Sequence, residues 1–201
     1  MELRAYRPED CPAMGALFYD TVHTVCTGEY DPHQLDAWAP PEGVDLAAWN
    51  ESVSAHVTLV AVEDGAIVGF GDMAPDGYLD RLYVAGTHLR RGVASALCAA
   101  LEQAVPAQRY TTHASRTALP FFLARGWTVV KEQTVERRGV TLNNYVMEKA
   151  PSPVGEGVWF LGAPARAQPS GSCGERTSSG VNEACRLRRA ERYAACEDDG
   201  G

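Results

Sequence analysis

The feature that most constrains the fold is a strand–helix–strand pattern in the middle of the chain. A strand pattern from Tyr78 to Val84 precedes a helix pattern from about Arg90 to Ala104, and a second strand pattern runs from Arg109 to Ala114. Two such strands are expected to lie parallel in one sheet, joined by a right-handed crossover through the helix. A ligand of such a unit binds at the carboxyl ends of the strands, beside the start of the following helix.

Antiparallel elements are predicted on both sides of this unit. The dipeptide Asp64-Gly65 separates two β-rich runs, His56 to Glu63 and Ala66 to Asp72, and it is a strong hairpin signal. A strand from Leu3 to Tyr6 and a final hairpin, formed by Trp127 to Glu136 and Val140 to Lys149, complete the predicted strands. Helices are predicted from Pro8 to about Cys26, from Pro32 to Trp38 behind the N-cap Asp31, from Asp45 onward, and from about Arg116 to Ala124. These patterns indicate a mixed α/β domain.

The character of the sequence changes near Ala150. The last 51 residues, 151–201, contain 8 Gly, 4 Pro and 5 Ser. Such a segment buries too little apolar surface to offset the entropy lost on ordering. We therefore expect one folded domain over residues 1–150 and a mostly disordered tail over residues 151–201. The tail is either an inert extension or a segment that binds a partner.

Charge and cysteine usage exclude several classes of protein. The chain has 18 Lys and Arg against 26 Asp and Glu, a net charge of −8, which argues against nucleic-acid binding. It lacks both an apolar run of about 18 residues and the apolar region of a signal peptide, so we expect no membrane association. Its cysteines have no zinc-site spacing, so we expect reduced thiols, a cytoplasmic location and no metal. The cysteines are Cys11, Cys26, Cys98, Cys173, Cys185 and Cys196.

The loop before the central helix has the features of an anion site. Gly92 is followed by the small residues Ala94 and Ser95, and it is preceded by Arg90 and Arg91. A helix N-terminus presents unpaired amides and a positive dipole end, and small residues allow a phosphate to approach them. The segment matches neither the GxxxxGK[ST] loop nor the GxGxxG fingerprint. The alternative is an ordinary helix start with two solvated arginines.

Two segments resemble motifs of the GNAT family, the GCN5-related N-acetyltransferases. The first, Leu89-Arg90-Arg91-Gly92-Val93-Ala94, resembles [QR]-x-x-G-x-[GA], with Leu89 at the position of Gln or Arg. The second, from Ala118 to Trp127, resembles A-x-x-F-Y-x-x-x-G-[FW], with Phe122 at the position of Tyr. The order of elements from Leu3 to Lys149 is also similar, and the chain is most similar to a bacterial subgroup of acetyltransferases.

The resemblance implies a fold and a cofactor site. It implies the GNAT fold: a mostly antiparallel central sheet with one parallel pair and helices on both faces. It also implies acetyl-CoA, with pantetheine between the fourth and fifth strands and pyrophosphate on the amides from Arg90 to Ser95. The cofactor-binding residues expected on this basis are Leu82, Tyr83, Val84, Leu89, Arg90, Arg91, Gly92, Val93, Ala94, Ser95, Phe121 and Phe122.

Acyl transfer from a thioester to an amine requires a base for the amine proton. Asp80 is the expected base, because strand alternation would put it on one face with Tyr78, Leu82 and Val84. Apolar neighbours would raise its pKa. The alternative is an ion pair with an arginine such as Arg81.

Two further residues are candidates for proton transfer. His113 is a candidate relay, or else a packed strand histidine. Phe122 cannot protonate the leaving thiolate as the family's Tyr does, so Tyr145 is a candidate substitute acid, unless the thiolate leaves to solvent. The acceptor pocket is expected to contain Tyr30, Trp38 and Tyr78, although such aromatic residues also pack in cores.

The expected activity is acetyl transfer from acetyl-CoA to a primary amine of a small molecule or peptide, directly within a ternary complex. We expect a monomer or homodimer with no nucleic-acid or membrane partner. One alternative is a GNAT-fold module that binds or senses acyl-CoA without turnover, since Leu89 and Phe122 depart from the motifs. Another is an interaction protein that acts through residues 151–201.

Overall fold

A computed structural model describes residues 1–151, and these contain a single seven-stranded sheet. The strand order is β1-β2-β3-β4-β5-β7-β6. Only β4 and β5 pair in parallel, as the strand–helix–strand pattern predicted, and the other neighbours are antiparallel. The strands are β1 (Glu2–Ala5), β2 (Val57–Glu63), β3 (Ala66–Met73), β4 (Tyr78–Val84), β5 (Tyr110–Ser115), β6 (Thr128–Arg137) and β7 (Val140–Lys149). The tail predicted over 151–201 lies outside the described residues, apart from Pro151.

Five α-helices cover the two faces of the sheet. They are α1 (Cys11–Val25), α2 (Pro32–Trp38), α3 (Leu46–Ser54), α4 (Val93–Ala104) and α5 (Leu119–Ala124), with short 3-10 turns at Pro8–Asp10 and Gly86–His88. Asp31 and Asp45 cap α2 and α3, each accepting from backbone amides of the first turn. Within residues 1–151, no helix combines the length and apolar character needed to cross a membrane.

Helices α1, α4 and α5 begin three residues later than predicted, and at α1 a 3-10 turn over Pro8–Asp10 takes the place of the first helical turn. Helix α4 starts at Val93 because Arg90 and Gly92 have positive φ angles of 60° and 84°, which no right-handed helix allows. Helix α5 starts at Leu119, since the Ser115 carbonyl accepts the Ala118 amide in a turn before it.

The core has a layer on each side of the sheet. On one side α1–α3 pack through Met14, Phe18, Val22 and Val53, and on the other α4 and α5 pack through Leu97, Leu101 and Phe122. Gly69 of β3 lets α4 approach closely, because a Cβ there would lie 2.8 Å from Cγ1 of Val93. The start of α4 is thereby held directly against the sheet.

Two irregularities of β4 shape the site. Its pairing with β5 is confined to Tyr78↔Thr111 and Leu79↔Thr112, so the strands diverge after Leu79. Its pairing with β3 contains a β-bulge, since Arg81 pairs with Asp72 while Leu79 pairs with Met73, which leaves Asp80 as the extra residue. The divergence opens a gap in the middle of the sheet, and the bulge lies at the point where the gap begins.

Candidate active site

A cleft of 590 Å³ occupies the gap between the diverging ends of β4 and β5. Its walls are formed by the end of α1, the last residue of α2, β4, the β4–α4 loop, the first turn of α4, β5 and the start of α5. The lining residues are Thr21, Val25, Cys26, Trp38, Leu79, Asp80, Leu82, Tyr83, Val84, His88, Leu89, Arg90, Gly92, Val93, Ala94, Ser95, Thr112, His113, Ala114, Ser115, Thr117, Ala118, Phe121 and Phe122.

One end of the cleft is built from backbone amides. Gly92 is the N-cap of α4, and its carbonyl accepts the Ala96 amide at 2.9 Å. The amides of residues 93–95 precede this first helical hydrogen bond, so they are the donors that a helix leaves without intrahelical partners. The left-handed conformations at Arg90 and Gly92 turn the preceding loop into a concave run of amides. This end of the cleft can hold a phosphate group.

The two arginines of this loop have different surroundings. Arg90 lines the cleft and is exposed. Arg91 instead forms an ion pair with Glu63 at the end of β2, with 2.7 Å between Nη2 and Oε1, and it does not line the cleft. His88 contacts the other oxygen of the same carboxylate at 3.1 Å. Of the two arginines, Arg90 alone lines the cleft, and Glu63 pairs with Arg91 outside it.

The wall opposite β4 is apolar. Phe122 is 3% exposed and stacks edge-on against Trp127, with 5.2 Å between ring centroids, yet it borders the cleft together with Phe121. The phenylalanine at this position thus serves core packing and the cleft wall at once. It offers no proton donor.

Asp80 lies in the cleft next to a buried network of charges. Nη1 of Arg81 is 3.1 Å from Oδ2 of Asp80 and 2.8 Å from Oδ2 of Asp72, which is fully buried. Nδ1 of His56 donates to the same Asp72 oxygen at 2.6 Å. Nη2 of Arg81 donates to Ser52 at 2.9 Å. Arg81 therefore links the buried Asp72 to the cleft residue Asp80.

Asp80 does not share a face with Leu82 and Val84, as strand alternation had predicted. Leu82 and Val84 pack with the α4 side of the sheet, whereas the Asp80 carboxylate meets Arg81 on the side of α3. The bulge explains the difference, because an extra residue shifts the alternation of side chains by one. The alternative weighed from the sequence, an ion pair with Arg81, is present.

His56, Asp72 and Asp80 also form a group of metal-ligand residue types. Their ligand atoms lie within 4.8 Å of one another. The Arg81 guanidinium lies against the carboxylates of both Asp72 and Asp80, where a metal cation would have to bind. The side chains of this group therefore fit an internal cation better than a metal ion.

His113 lies on β5 across the gap from Asp80. Partial desolvation by the cleft walls lowers the pKa of His113, and the negative charge of Asp80 opposes this change only in part. The ring packs edge-on against Tyr78, with 5.5 Å between centroids. A neutral imidazole at this place can accept a proton near neutral pH.

Comparisons with known proteins agree with this geometry. The profile of the family described as "Acetyltransferase (GNAT) domain" matches residues 26–149. The chain is 35% identical over 151 residues to the "Uncharacterized N-acetyltransferase YafP" of Escherichia coli K12, covering 75% of this chain and 97% of that protein. The chain belongs to the GNAT family. It is an N-acetyltransferase, which confirms the resemblance that the two motifs indicated.

Solved structures give the same fold. A GCN5-related N-acetyltransferase from Rhodopseudomonas palustris superposes with a TM-score of 0.70 at 33% identity, over 74% of this chain and 94% of that one. The acetyltransferase yncA from Salmonella typhimurium, solved with its cofactor acetyl-CoA, has a TM-score of 0.57 at 17% identity, over 83% of this chain and 99% of that one. The GNAT fold predicted from the sequence is confirmed.

Several aromatic residues proposed for this GNAT site lie elsewhere. Trp38 lines the cleft, but Tyr30, Tyr78 and Tyr145 do not. The Tyr30 hydroxyl donates to the Asn143 carbonyl at 2.9 Å and accepts the Arg116 amide at 3.0 Å, so it links the α1–α2 loop to β7 and to the β5–α5 loop.

Tyr145, the candidate substitute acid, does not line the cleft. It pairs with Ala114, one residue beyond His113, and it packs in the cluster beneath α5.

Sequence reasoning missed two groups of residues. The first lines the cleft from α1 and from the β5–α5 loop: Thr21, Val25, Cys26, Ser115 and Thr117. No motif marks these positions. The second is the pair His56 and Asp72, for which a signal existed, because a hairpin centred on Asp64-Gly65 brings its two outer ends together.

Proposed function

We propose that this GNAT enzyme transfers the acetyl group of acetyl-CoA to a primary amine of a small molecule or peptide, directly within a ternary complex. One observation carries the proposal: the gap between β4 and β5 joins a phosphate-binding loop at one end to Asp80 and His113 at the other. A single cleft can thus hold both the phosphates and the reacting end of a long thioester.

The residues of the cleft fit this cofactor. Loop and helix amides from Arg90 to Ser95 would hold the pyrophosphate, with Arg90 adding positive charge. The edge of β4 that faces the gap, at Leu82 and Val84, would hydrogen-bond the pantetheine arm, whereas the backbone of Tyr83 faces β3. The remaining contacts would come from Leu89, Phe121 and Phe122. When bound, acetyl-CoA supplies an activated acyl carbon.

Proton transfer is assigned to Asp80 and His113. An amine reaches the site as an ammonium ion, and the Asp80 carboxylate attracts it. Asp80 takes one proton from the ammonium ion, which frees the nitrogen lone pair for attack, and the neutral His113 passes this proton toward solvent. The second proton leaves the nitrogen to water as the C–S bond breaks. A C–N bond forms, the C–S bond breaks, and the sulfur leaves as thiolate. Because Tyr145 does not line the cleft and Phe122 carries no proton, we propose that water protonates the thiolate at the open end of the cleft.

The acceptor is proposed to bind on the α1–α2 side of the sheet. Val25, Cys26 and Trp38 line the cleft there, next to Tyr83. This wall favours an amine carried on an apolar group. The cysteines of the described domain, Cys11, Cys26 and Cys98, are free thiols, and we propose that the enzyme works in the cytoplasm.

The test is an acetyl-transfer assay on the full chain. Acetyl-CoA is offered with 2-phenylethylamine, n-butylamine, spermidine and a lysine-containing tripeptide, and both the free thiol and the acetylated amine are measured. We expect equal amounts of both products with at least one amine. Asp80→Asn should lower kcat about a hundredfold. Asp64→Asn, in the exposed turn of the β2–β3 hairpin, serves as the matched control and should retain full activity.

Two results would contradict the proposal. Acetyl-CoA binding without transfer to any of the amines would indicate a module that binds acyl-CoA without turnover. Full activity in Asp80→Asn would remove Asp80 from the mechanism.

A further inference from the structure

A chain of charges runs from the interior of the sheet into the cleft. It consists of His56, Asp72, Arg81 and Asp80, and we refer to these four residues as the charge chain. The contacts along it are 2.6 Å from His56 to Asp72, 2.8 Å from Asp72 to Arg81 and 3.1 Å from Arg81 to Asp80. Its inner member, Asp72, has 0% exposure, and its outer member, Asp80, lines the cleft.

Stability alone does not account for this arrangement. A buried ion pair contributes little net stability, because desolvation of both charges offsets their attraction. The contacts that His56 and Arg81 make with Asp72 are both to Oδ2, and Oδ1 of Asp72 has no hydrogen-bond partner among the described residues. The charge chain differs in this way from the pair of Arg4 and Asp10, whose two oxygens are both used.

We propose that His56 and Asp72 are positioning residues for acetyl transfer, which act on Asp80 through Arg81. This inference rests on the proposed role of Asp80 and deepens it. Asp72 holds the Arg81 guanidinium in place, and its negative charge partly offsets the positive charge that acts on Asp80. Arg81, so held, fixes the Asp80 carboxylate at the bulge and leaves it able to accept a proton from the amine.

The surroundings of Asp80 define what each substitution changes. The titratable groups that face it are Arg81 on β4, Asp72 on β3, His56 before β2 and His113 on β5. The phenols of Tyr78 and Tyr83 lie on the same strand. Lys131 and Arg137 of β6 act on His113 from farther away. Asp72 and Arg81 are both buried, and their side chains carry charges of opposite sign.

The test uses the opposite charges of Asp72 and Arg81. In Asp72→Asn the whole guanidinium charge acts on Asp80, so protonation of Asp80 becomes harder. In the pH profile of kcat/KM, the acid limb, where activity falls as Asp80 is protonated, should then move to lower pH by about one unit. In Arg81→Gln two carboxylates face each other without a cation, and the limb should move to higher pH, also by about one unit. The titration of the Asp80 carboxyl carbon, followed by ¹³C NMR on the full chain, should shift in the same two directions.

Two further variants keep the test decisive. Asp10→Asn breaks a partly buried ion pair remote from the cleft, so it should lower the melting temperature and leave the acid limb in place. Arg81→Lys keeps the buried cation but has one nitrogen in place of the two that contact Asp72 and Ser52. The acid limb of its pH profile should lie between those of the wild type and Arg81→Gln. This variant provides the comparison if a neutral variant fails to fold.

The outcomes separate the two proposals. If the neutral variants melt earlier while the limb and the NMR titration stay within about 0.2 unit of the wild type, the charge chain is structural and the inference is wrong. A shift in the same direction for both would also overturn it. If the wild type transfers acetyl to none of the amines, the proposed function fails, and the NMR titration still decides whether Asp72 and Arg81 control Asp80.

Discussion

The contact between α4 and β3 at Gly69 should control both stability and cofactor binding. In Gly69→Ala the new Cβ would lie 2.8 Å from Cγ1 of Val93 and 3.1 Å from the Tyr83 carbonyl. Neither neighbour can move freely, because Val93 is the first residue of α4 and Tyr83 belongs to β4. Overpacking of this kind costs about 1–3 kcal/mol. For a domain of this size the melting temperature should fall by about 2–12 °C.

The same displacement should weaken acetyl-CoA binding, since it moves the amides that would hold the pyrophosphate. The measurements are thermal melting and isothermal titration with acetyl-CoA. Gly28→Ala is the matched control, because a Cβ there meets nothing within 4 Å and its backbone is not left-handed. The double variant Gly69→Ala/Val93→Ala should be about 1 kcal/mol more stable than the sum of the two single effects predicts, because the second change removes the clash. The reasoning is refuted if Gly69→Ala melts and binds like Gly28→Ala.

Three other predictions concern single contacts. Arg90→Ala should raise the dissociation constant for acetyl-CoA about three- to tenfold, whereas Arg91→Ala should change it less than about twofold, because Glu63 already holds that guanidinium; calorimetry that ranks the two variants the other way would contradict this. Tyr30→Phe leaves the Asn143 carbonyl and the Arg116 amide without their partner, and should cost about 1–3 kcal/mol in chemical unfolding; an unchanged free energy of unfolding would show that water replaces the hydroxyl. The pKa of His113 is lowered in the folded protein, so the unfolded chain binds a proton at this residue more readily. The neutral histidine therefore stabilises the fold above the unfolded pKa of 6.5, and this contribution is lost as the pH falls through the folded pKa. Melting temperatures should therefore drop more between about pH 7.5 and pH 5.5 in the wild type than in His113→Gln, and equal drops would refute it.

Local signals allowed most of the fold to be predicted. The hairpin at Asp64-Gly65, the N-caps Asp31 and Asp45, and the order of elements around α4 all depend on residues close in sequence. The loop from Leu89 to Ala94 could be located for the same reason, since its phosphate-binding geometry comes from consecutive backbone amides.

Other placements could not be predicted, because they depend on residues far apart in the sequence. A single bulge at Asp80 reverses the side-chain alternation along β4, and no residue type in the sequence marks it. The distance of Arg91 from the cleft depends on Glu63, 28 positions earlier in the chain. Tyr145 is placed by its pairing with Ala114, and a shift of one residue would have turned it to the other face.

The central claim is that the gap between β4 and β5 binds acetyl-CoA. It is tested most directly by thermal melting of the full chain with and without saturating acetyl-CoA. At about 100 times its dissociation constant, a ligand that binds only the folded state adds about 2.7 kcal/mol of stability. This corresponds to a rise in melting temperature of about 5–10 °C for a chain of this length. A rise of this size is the result that we predict, and a cooperative transition at an unchanged temperature would contradict the account.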